Sequence, residues 1–178
     1  MIRSRYTYVR LRGEEAFAAV SAALSPAARK VMEDGPLETQ WYPYDVYIEM
    51  SEVIDRVLGE GDLALVQEMG SFSCEHNLTG IYRLFFRWGN LGFLVDRAAK
   101  AWHSQYDFGS MKSTRDPDNR NHVTLELTNC PRPTRALYLA VKGWVMKAAE
   151  LSGSELIKAE DHYTDDPDQP MRWVFEYL

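Results

Sequence analysis

Residues 121–152, NHVTLELTNCPRPTRALYLAVKGWVMKAAELS, change hydrophobic period once, and that change decides the fold class. In the first part, Val123, Leu125 and Leu127 alternate with Thr124, Glu126 and Thr128. Successive side chains of a strand point to opposite faces, so this pattern is a strand with one apolar and one wet face. After Pro133 the spacing becomes helical, with Leu137, Ala140, Val141, Trp144, Ala148 and Leu151 in one stripe that Gly153 ends. A half-wet strand followed by a long amphipathic helix calls for an antiparallel sheet with a helix laid across one face.

Working outward, a polar, turn-rich loop over 115–121 joins this strand to a shorter one near Met111, forming a hairpin. A helix from about Asn90 to Tyr106, bearing Leu91, Leu94, Val95, Ala98 and Trp102, precedes it. Downstream, Leu156–Tyr163 and Met171–Leu178 read as two further strands joined by the turn residues 164–170. Most of the first half is helical. Glu14–Leu24 is Ala-rich with acids in its first turn, and Ser25-Pro26 starts a second helix that Gly35-Pro36 ends. A third helix carries Tyr47, Met50, Ile54, Val57 and Leu58, and a fourth, capped by Asp62, carries Leu63, Val66, Met69 and Gly70. Leu78, Ile81, Leu84, Phe85 and Trp88 again have helical spacing. Tyr6–Leu11 alternates bulky and polar groups and reads as another strand, with Arg3, Arg5, Arg10 and Arg12 at its edges. The expectation is one α+β domain over 1–178, an antiparallel, cupped four- or five-stranded sheet packed against a helical layer.

Composition narrows the function classes. A chain of 178 residues supports one full-sized core, and 46% hydrophobic with 26% charged residues is ordinary for a soluble domain. A net charge of −6 argues against nonspecific binding to nucleic acid or anionic lipid. No segment approaches the length of a membrane span, and no signal-type apolar run opens the chain. Two distant cysteines, Cys74 and Cys130, fit a reducing cytoplasm better than a disulfide framework. The elbow of a serine hydrolase, a phosphate-cradling glycine loop and a His-Glu-x-x-His zinc motif are all missing, so no catalytic residue is assigned. Cys74-Glu75-His76 has metal-binding residue types, but neighbours on a helix point in different directions. The acidic turn around Asp165-Asp166-Pro167-Asp168 lacks the glycine and terminal glutamate of a calcium-binding loop. We expect neither metal nor cofactor.

What the composition offers instead is aromatic surplus, with five Trp and ten Tyr. Such side chains have an apolar body and a polar handle, which suits clefts and interfaces. Trp102, Tyr106 and Trp144 sit where helices should meet the sheet, and are the candidate walls of a pocket for a small apolar ligand. Trp41, Tyr42 and Tyr44 lie in a loop rather than on a helical stripe, and are the candidate anchors of a homodimer or protein interface.

With these elements placed, the chain resembles the superfamily of 4-vinyl-reductase-type domains, TRAPP vesicle-tethering subunits and heme-nitric-oxide-binding domains. More narrowly it is similar to a bacterial family of that type found in myxobacteria and relatives. The resemblance rests on Trp41-Tyr42-Pro43 opening a helix, Leu58-Gly59-Glu60-Gly61-Asp62 between helices, and Gly80-Ile81-Tyr82-Arg83-Leu84-Phe85. Trp102 with Tyr106-Asp107-Phe108-Gly109 and the Asp165-Asp166-Pro167 hairpin complete it. It implies a sensory ligand-binding domain or, as the alternative, a docking module like the tethering subunits; neither is an enzyme. Two departures accompany it. The last hairpin has no zinc-binding cysteine, and Met111-Lys112-Ser113-Thr114-Arg115 lacks the Tyr of the heme-propionate clamp. His103 beside Trp102 then has two readings, an axial heme ligand or a His that favours the negative end of a helix.

Overall fold

The computed structural model describes residues 1–77, 91–119 and 121–178. Four antiparallel strands, β1 (Ser110–Arg115), β2 (His122–Thr128), β3 (Leu156–His162) and β4 (Met171–Tyr177), form an open sheet in the order β1-β2-β4-β3. The register sets Leu125 opposite Trp173, Val123 opposite Phe175 and Leu127 opposite Met171, so one face collects the large apolar groups and buries them. On the other face Glu126 stands between Lys112 and Arg172, and Arg172 Nε donates to Glu126 Oε2 at 2.6 Å. The alternation read from the sequence is this division of faces.

Two helices meet the apolar face, α6 (Leu91–Lys100) against β1 and β2 and α7 (Arg135–Ser152) against β3 and β4. Helix α7 begins where the Thr134 hydroxyl accepts the Leu137 N–H at 3.1 Å, and it ends at Gly153, whose φ of 74° only glycine adopts freely. Tyr138 stacks on Trp173 at 4.8 Å, while the Trp173 indole donates to the Tyr138 carbonyl at 3.0 Å. The Tyr138 hydroxyl accepts the His162 N–H at 2.9 Å, so one side chain ties α7 to both β3 and β4.

Helix α5 (Ala64–Asn77) lies along α7 in backbone contact. A Cβ at Gly143 would stand 1.9 Å from the Gln67 carbonyl oxygen, and one at Gly70 would stand 2.2 Å from that of Ala140. The Ser71 hydroxyl donates to the Gly143 carbonyl at 2.9 Å across the seam. Helices α1 (Ile2–Arg10) and α4 (Tyr44–Leu58) pack on α5, and α2 (Glu14–Ala23) and α3 (Pro26–Asp34) pack on α4. The turn from α4 to α5 is held by the buried Asp55 carboxylate, which accepts the N–H groups of Leu63 (2.8 Å) and Leu65 (2.9 Å). Asp62 accepts the Ala64 N–H at 2.9 Å, so the expected cap shares its task with a residue from the preceding helix.

Two expectations are corrected. Tyr6–Leu11 is not a strand but the end of α1, and the sheet has four strands among the described residues. The buried positions Ile2, Arg5, Tyr8 and Val9, with Ser4, follow helical spacing. Because two of them are polar, hydrophobicity alone conceals the helical face. The helix expected over Asn90–Tyr106 ends at Lys100 and is followed by a 3₁₀ turn, Trp102–Ser104. The run from Leu78 to Trp88 and the Gly89-Asn90 boundary lie outside the described residues. Among those described, no helix is long and apolar enough to cross a membrane.

The α5–α7 contact makes a direct prediction. Gly143→Ala must push two backbones apart and should cost about 1–3 kcal/mol in urea unfolding. A loss within the ±0.5 kcal/mol or so typical of a surface change would contradict the backbone contact.

Candidate functional site

Between α6, the 3₁₀ turn, the β1–β2 edge of the sheet and α7 lies a cavity of about 350 Å³. The Tyr106 N–H donates to the Trp102 carbonyl at 3.0 Å, closing a turn that stacks the two rings at 4.2 Å. The Trp102 indole donates to the Phe108 carbonyl at 2.8 Å, which fixes the plane of the stack. Trp144 enters from α7, and Met111 and Leu125 form the sheet side. The structure thus brings Trp102, Tyr106 and Trp144 together in the wall of one cavity. The fourth aromatic in the wall, Phe93, was not singled out from the sequence.

Polar groups in the wall are few. Arg97 reaches it from α6, with its guanidinium 5.2 Å from the Phe93 ring centre. Its neighbour Asp96 is engaged elsewhere, accepting from Ser113 Oγ at 2.5 Å and from Lys100 Nζ at 3.0 Å. Those two bonds, the first foremost, hold the Asp96 carboxyl below its ordinary range. Among the described residues the lining includes no carboxylate, imidazole or thiol side chain.

Behind Tyr106 stands a group that sequence reasoning missed. Arg5 is completely buried. Its Nε donates to Ser51 Oγ (3.0 Å), its Nη1 to the Met69 carbonyl and Ser73 Oγ (both 3.1 Å), and its Nη2 to the Tyr47 hydroxyl (2.8 Å). The Tyr47 ring meets Tyr106 edge to face at 6.1 Å. Burial first, and then the Tyr47 hydroxyl, push the Tyr106 phenol well above its usual range. The available signal was the placing of Ser4, Arg5, Ser51 and Ser73 on otherwise apolar helical faces.

The other candidates do not converge. Cys74 is buried, which pushes its thiol up to about 12, whereas Glu75 pairs with Lys147 at 3.8 Å and His76 stacks on Phe72 at 3.7 Å. In the acidic hairpin, Asp161 is held by Lys142 and Asp166 accepts the Asp168 N–H. Among the described residues no three His, Cys, Asp or Glu side chains gather as a metal set would. Of the proposed interface anchors, Trp41 is 61% exposed, but Tyr42 is half-buried with its hydroxyl accepting the Leu37 N–H. Tyr44 packs on Phe108 at 4.7 Å and donates to the Arg132 carbonyl at 3.3 Å.

No family model matches the chain, and no curated protein does. Solved structures of H-NOX proteins do. A mutant H-NOX protein from K. algicida, in its Fe(II) unliganded form, aligns with a TM-score of 0.73 at 10% identity over 98% of this chain and 93% of that one. The H-NOX domain from Shewanella oneidensis in its Fe(II)CO state gives 0.69 at 13% identity, over 97% and 93% of the two chains. A crystal structure of an S. oneidensis H-NOX triple mutant gives 0.66 at 12%, over 98% and 95%. The chain therefore has an H-NOX-like α+β fold.

A heme in this fold needs an axial donor, and among the described residues no imidazole reaches the cavity wall. His103 is exposed on the 3₁₀ turn and is not part of the cavity wall. Tyr106, the one phenol among the described residues of the wall, is pushed well above its ordinary range by burial. Ser113, at the clamp position, is bonded to the Asp96 carboxylate rather than left for a propionate. Added hemin should accordingly give the same absorbance with the native chain and with His103→Ala. A Soret band typical of axial histidine ligation, lost in that variant, would contradict this assignment. Cys74 and Cys130 should resist Ellman's reagent at pH 8 in the folded protein and react on denaturation, since burial raises both thiols.

Proposed function

We propose that this chain is a noncatalytic sensory domain that holds a small, largely apolar ligand in the cavity between α6, α7 and the sheet. The observation that carries the reading is the cavity wall, which among the described residues has four aromatic side chains with aliphatic groups from the sheet and both helices. Its volume of about 350 Å³ lies within the usual range for small-molecule sites. Apolar burial on the order of 25 cal/mol per Å² would supply most of the affinity. Among the described residues the wall holds no carboxylate, imidazole or thiol side chain, which supports a binding rather than a catalytic reading. The fold shared with H-NOX proteins, studied in defined ligation states of their iron, supports a ligand-binding role.

Occupancy would be felt beyond the cavity. The ligand would lie against the Trp102–Tyr106 stack, and Tyr106 leads through Tyr47 to Arg5, which bonds residues of α4 and α5. A shift of that stack would therefore bear on the helices packed behind α7 as well as on the sheet. The second reading, a docking or dimerising module, draws on Leu37 and Trp41, each 61% exposed in the segment between α3 and α4.

Native mass spectrometry across concentrations separates the two. A monomer carrying added small-molecule mass is expected, and a concentration-dependent dimer without it would favour docking. A ligand identified in this way should stabilise the fold by about 2.7 kcal/mol at a hundredfold excess over its Kd. Trp144→Ala should abolish that gain while leaving the circular dichroism unchanged, and Trp41→Ala should leave it intact. Ligand binding undiminished in a folded Trp144→Ala protein would overturn the assignment of the wall.

A further inference from the structure

Among the described residues three tryptophans pack against the core, and one of them leaves its polar atom unused. The Trp102 indole donates to the Phe108 carbonyl and that of Trp173 to the Tyr138 carbonyl. Trp144, half-buried on α7, lines the cavity, and its indole N–H has no acceptor among the described residues. Ser21 Oγ is the one enclosed side-chain polar atom without a partner among those residues, so the Trp144 N–H opens onto accessible space. An indole packed into protein ordinarily gives its N–H to an acceptor. Resting on the reading of the cavity as a ligand site, we infer that its ligand is a neutral, largely apolar carbonyl compound, such as a ketone, ester or lactone, whose oxygen accepts the Trp144 indole N–H.

The charges around the cavity point to an uncharged ligand with a negative dipole end. Arg5 is completely buried and gives its N–H groups to three hydroxyls and the Met69 carbonyl, with no carboxylate paired to it among the described residues. Its positive charge stands behind Tyr106, which lies in the wall and within its reach. At low dielectric that field opposes a cation in the cavity and favours the partly negative oxygen of a carbonyl. A full anion needs more than a favourable field, because burying it without a hydrogen-bonded counter-charge is costly. Arg97, the guanidinium that reaches the wall, is already engaged with groups of its own and is not free to hold one.

The remainder of the wall suits an apolar body behind that oxygen. Phe93, Trp102, Met111 and Leu125 border the space, and the small side chains of Ala98 and Ala140 leave it open from the two helices. A carbonyl oxygen has two lone pairs and no proton of its own, so it matches an indole, which only donates. A hydroxyl in its place would have a further proton to satisfy. Apolar contact is nondirectional, whereas one N–H bond fixes which way round the ligand lies.

The test uses two pairs of equal shape that exchange a carbonyl for a hydrocarbon branch, 2-acetylnaphthalene with 2-isopropylnaphthalene and 2-nonanone with 2-methylnonane. Affinities for the whole chain are measured by equilibrium dialysis. Trp144→Phe keeps a ring and removes the N–H. In at least one pair it should lower the ketone-to-hydrocarbon affinity ratio about fivefold, as loss of one neutral hydrogen bond implies. In the native protein one indole proton resonance should move downfield with the ketone and not with its hydrocarbon, a readout that needs no variant. 2-Naphthoate and 2-naphthylmethylammonium should both bind more weakly than 2-acetylnaphthalene. A ratio unchanged in folded Trp144→Phe, indole resonances that respond alike to ketone and hydrocarbon, or an ion that binds more tightly than the ketone would each overturn the carbonyl assignment and leave the apolar site standing. If no member of either pair binds, the reading of the cavity as a site for such ligands falls, and this inference with it.

Discussion

Helices α5 and α7 touch backbone to backbone at Gly70 and Gly143, and the arrangement of the other elements depends on that contact. Helix α7 faces two ways. On one side Tyr138 locks it to Trp173 and the β3–β4 edge of the sheet; on another, the glycine seam brings α5 as close as two helices can come. Because α5 in turn receives α1 and α4, the N-terminal helices are positioned relative to the sheet through this seam. A side chain at either glycine would displace that whole layer. The cavity lies where α7 leaves room beside α6.

The second constraint is polar. Arg5 gathers Ser51 from α4, Ser73 and the Met69 carbonyl from α5, and Tyr47 from α4 around one guanidinium. Apolar packing is tolerant of small shifts, whereas a buried cation with four directed bonds is not. The cluster therefore fixes the mutual placement of α1, α4 and α5 more sharply than their aliphatic contacts would. It also sets a positive charge behind the aromatic stack that borders the cavity.

The likeness to H-NOX proteins is one of fold, and a fold does not by itself fix the chemistry it carries. Identity is only 10–13% in the aligned structures described above, yet nearly the whole chain superposes. Fold is carried by the spacing of apolar residues and by a few close contacts, both of which tolerate wide substitution. An iron site depends on one donor atom aimed inward. Here the histidine next to Trp102 faces solvent, and the serine at the clamp position is bonded to Asp96.

Much of this protein was legible in its sequence because the deciding signals are local. The alternation at Val123–Thr128, the stripe from Leu137 to Leu151, the Ser25 and Thr134 caps and the Gly153 stop each depend on neighbours within a few residues, and each stands in the structure as read. The placing of Trp102, Tyr106 and Trp144 near the helix–sheet junction was also readable, since it follows from element order. Helix α1 was misread because its buried face includes Ser4 and Arg5, whose partners on α4 and α5 lie 42 to 69 residues away. The expected interface trio was divided for a similar reason, with Tyr44 drawn against Phe108 and Arg132, far along the chain, while Trp41 remained exposed. Sequence by itself determined the helices and strands other than α1, and their apolar faces, because periodicity is a property of adjacent residues. Only the tertiary structure decided where a polar side chain finds its partners, and hence where charge stands beside the cavity, because those partners meet only when distant helices pack.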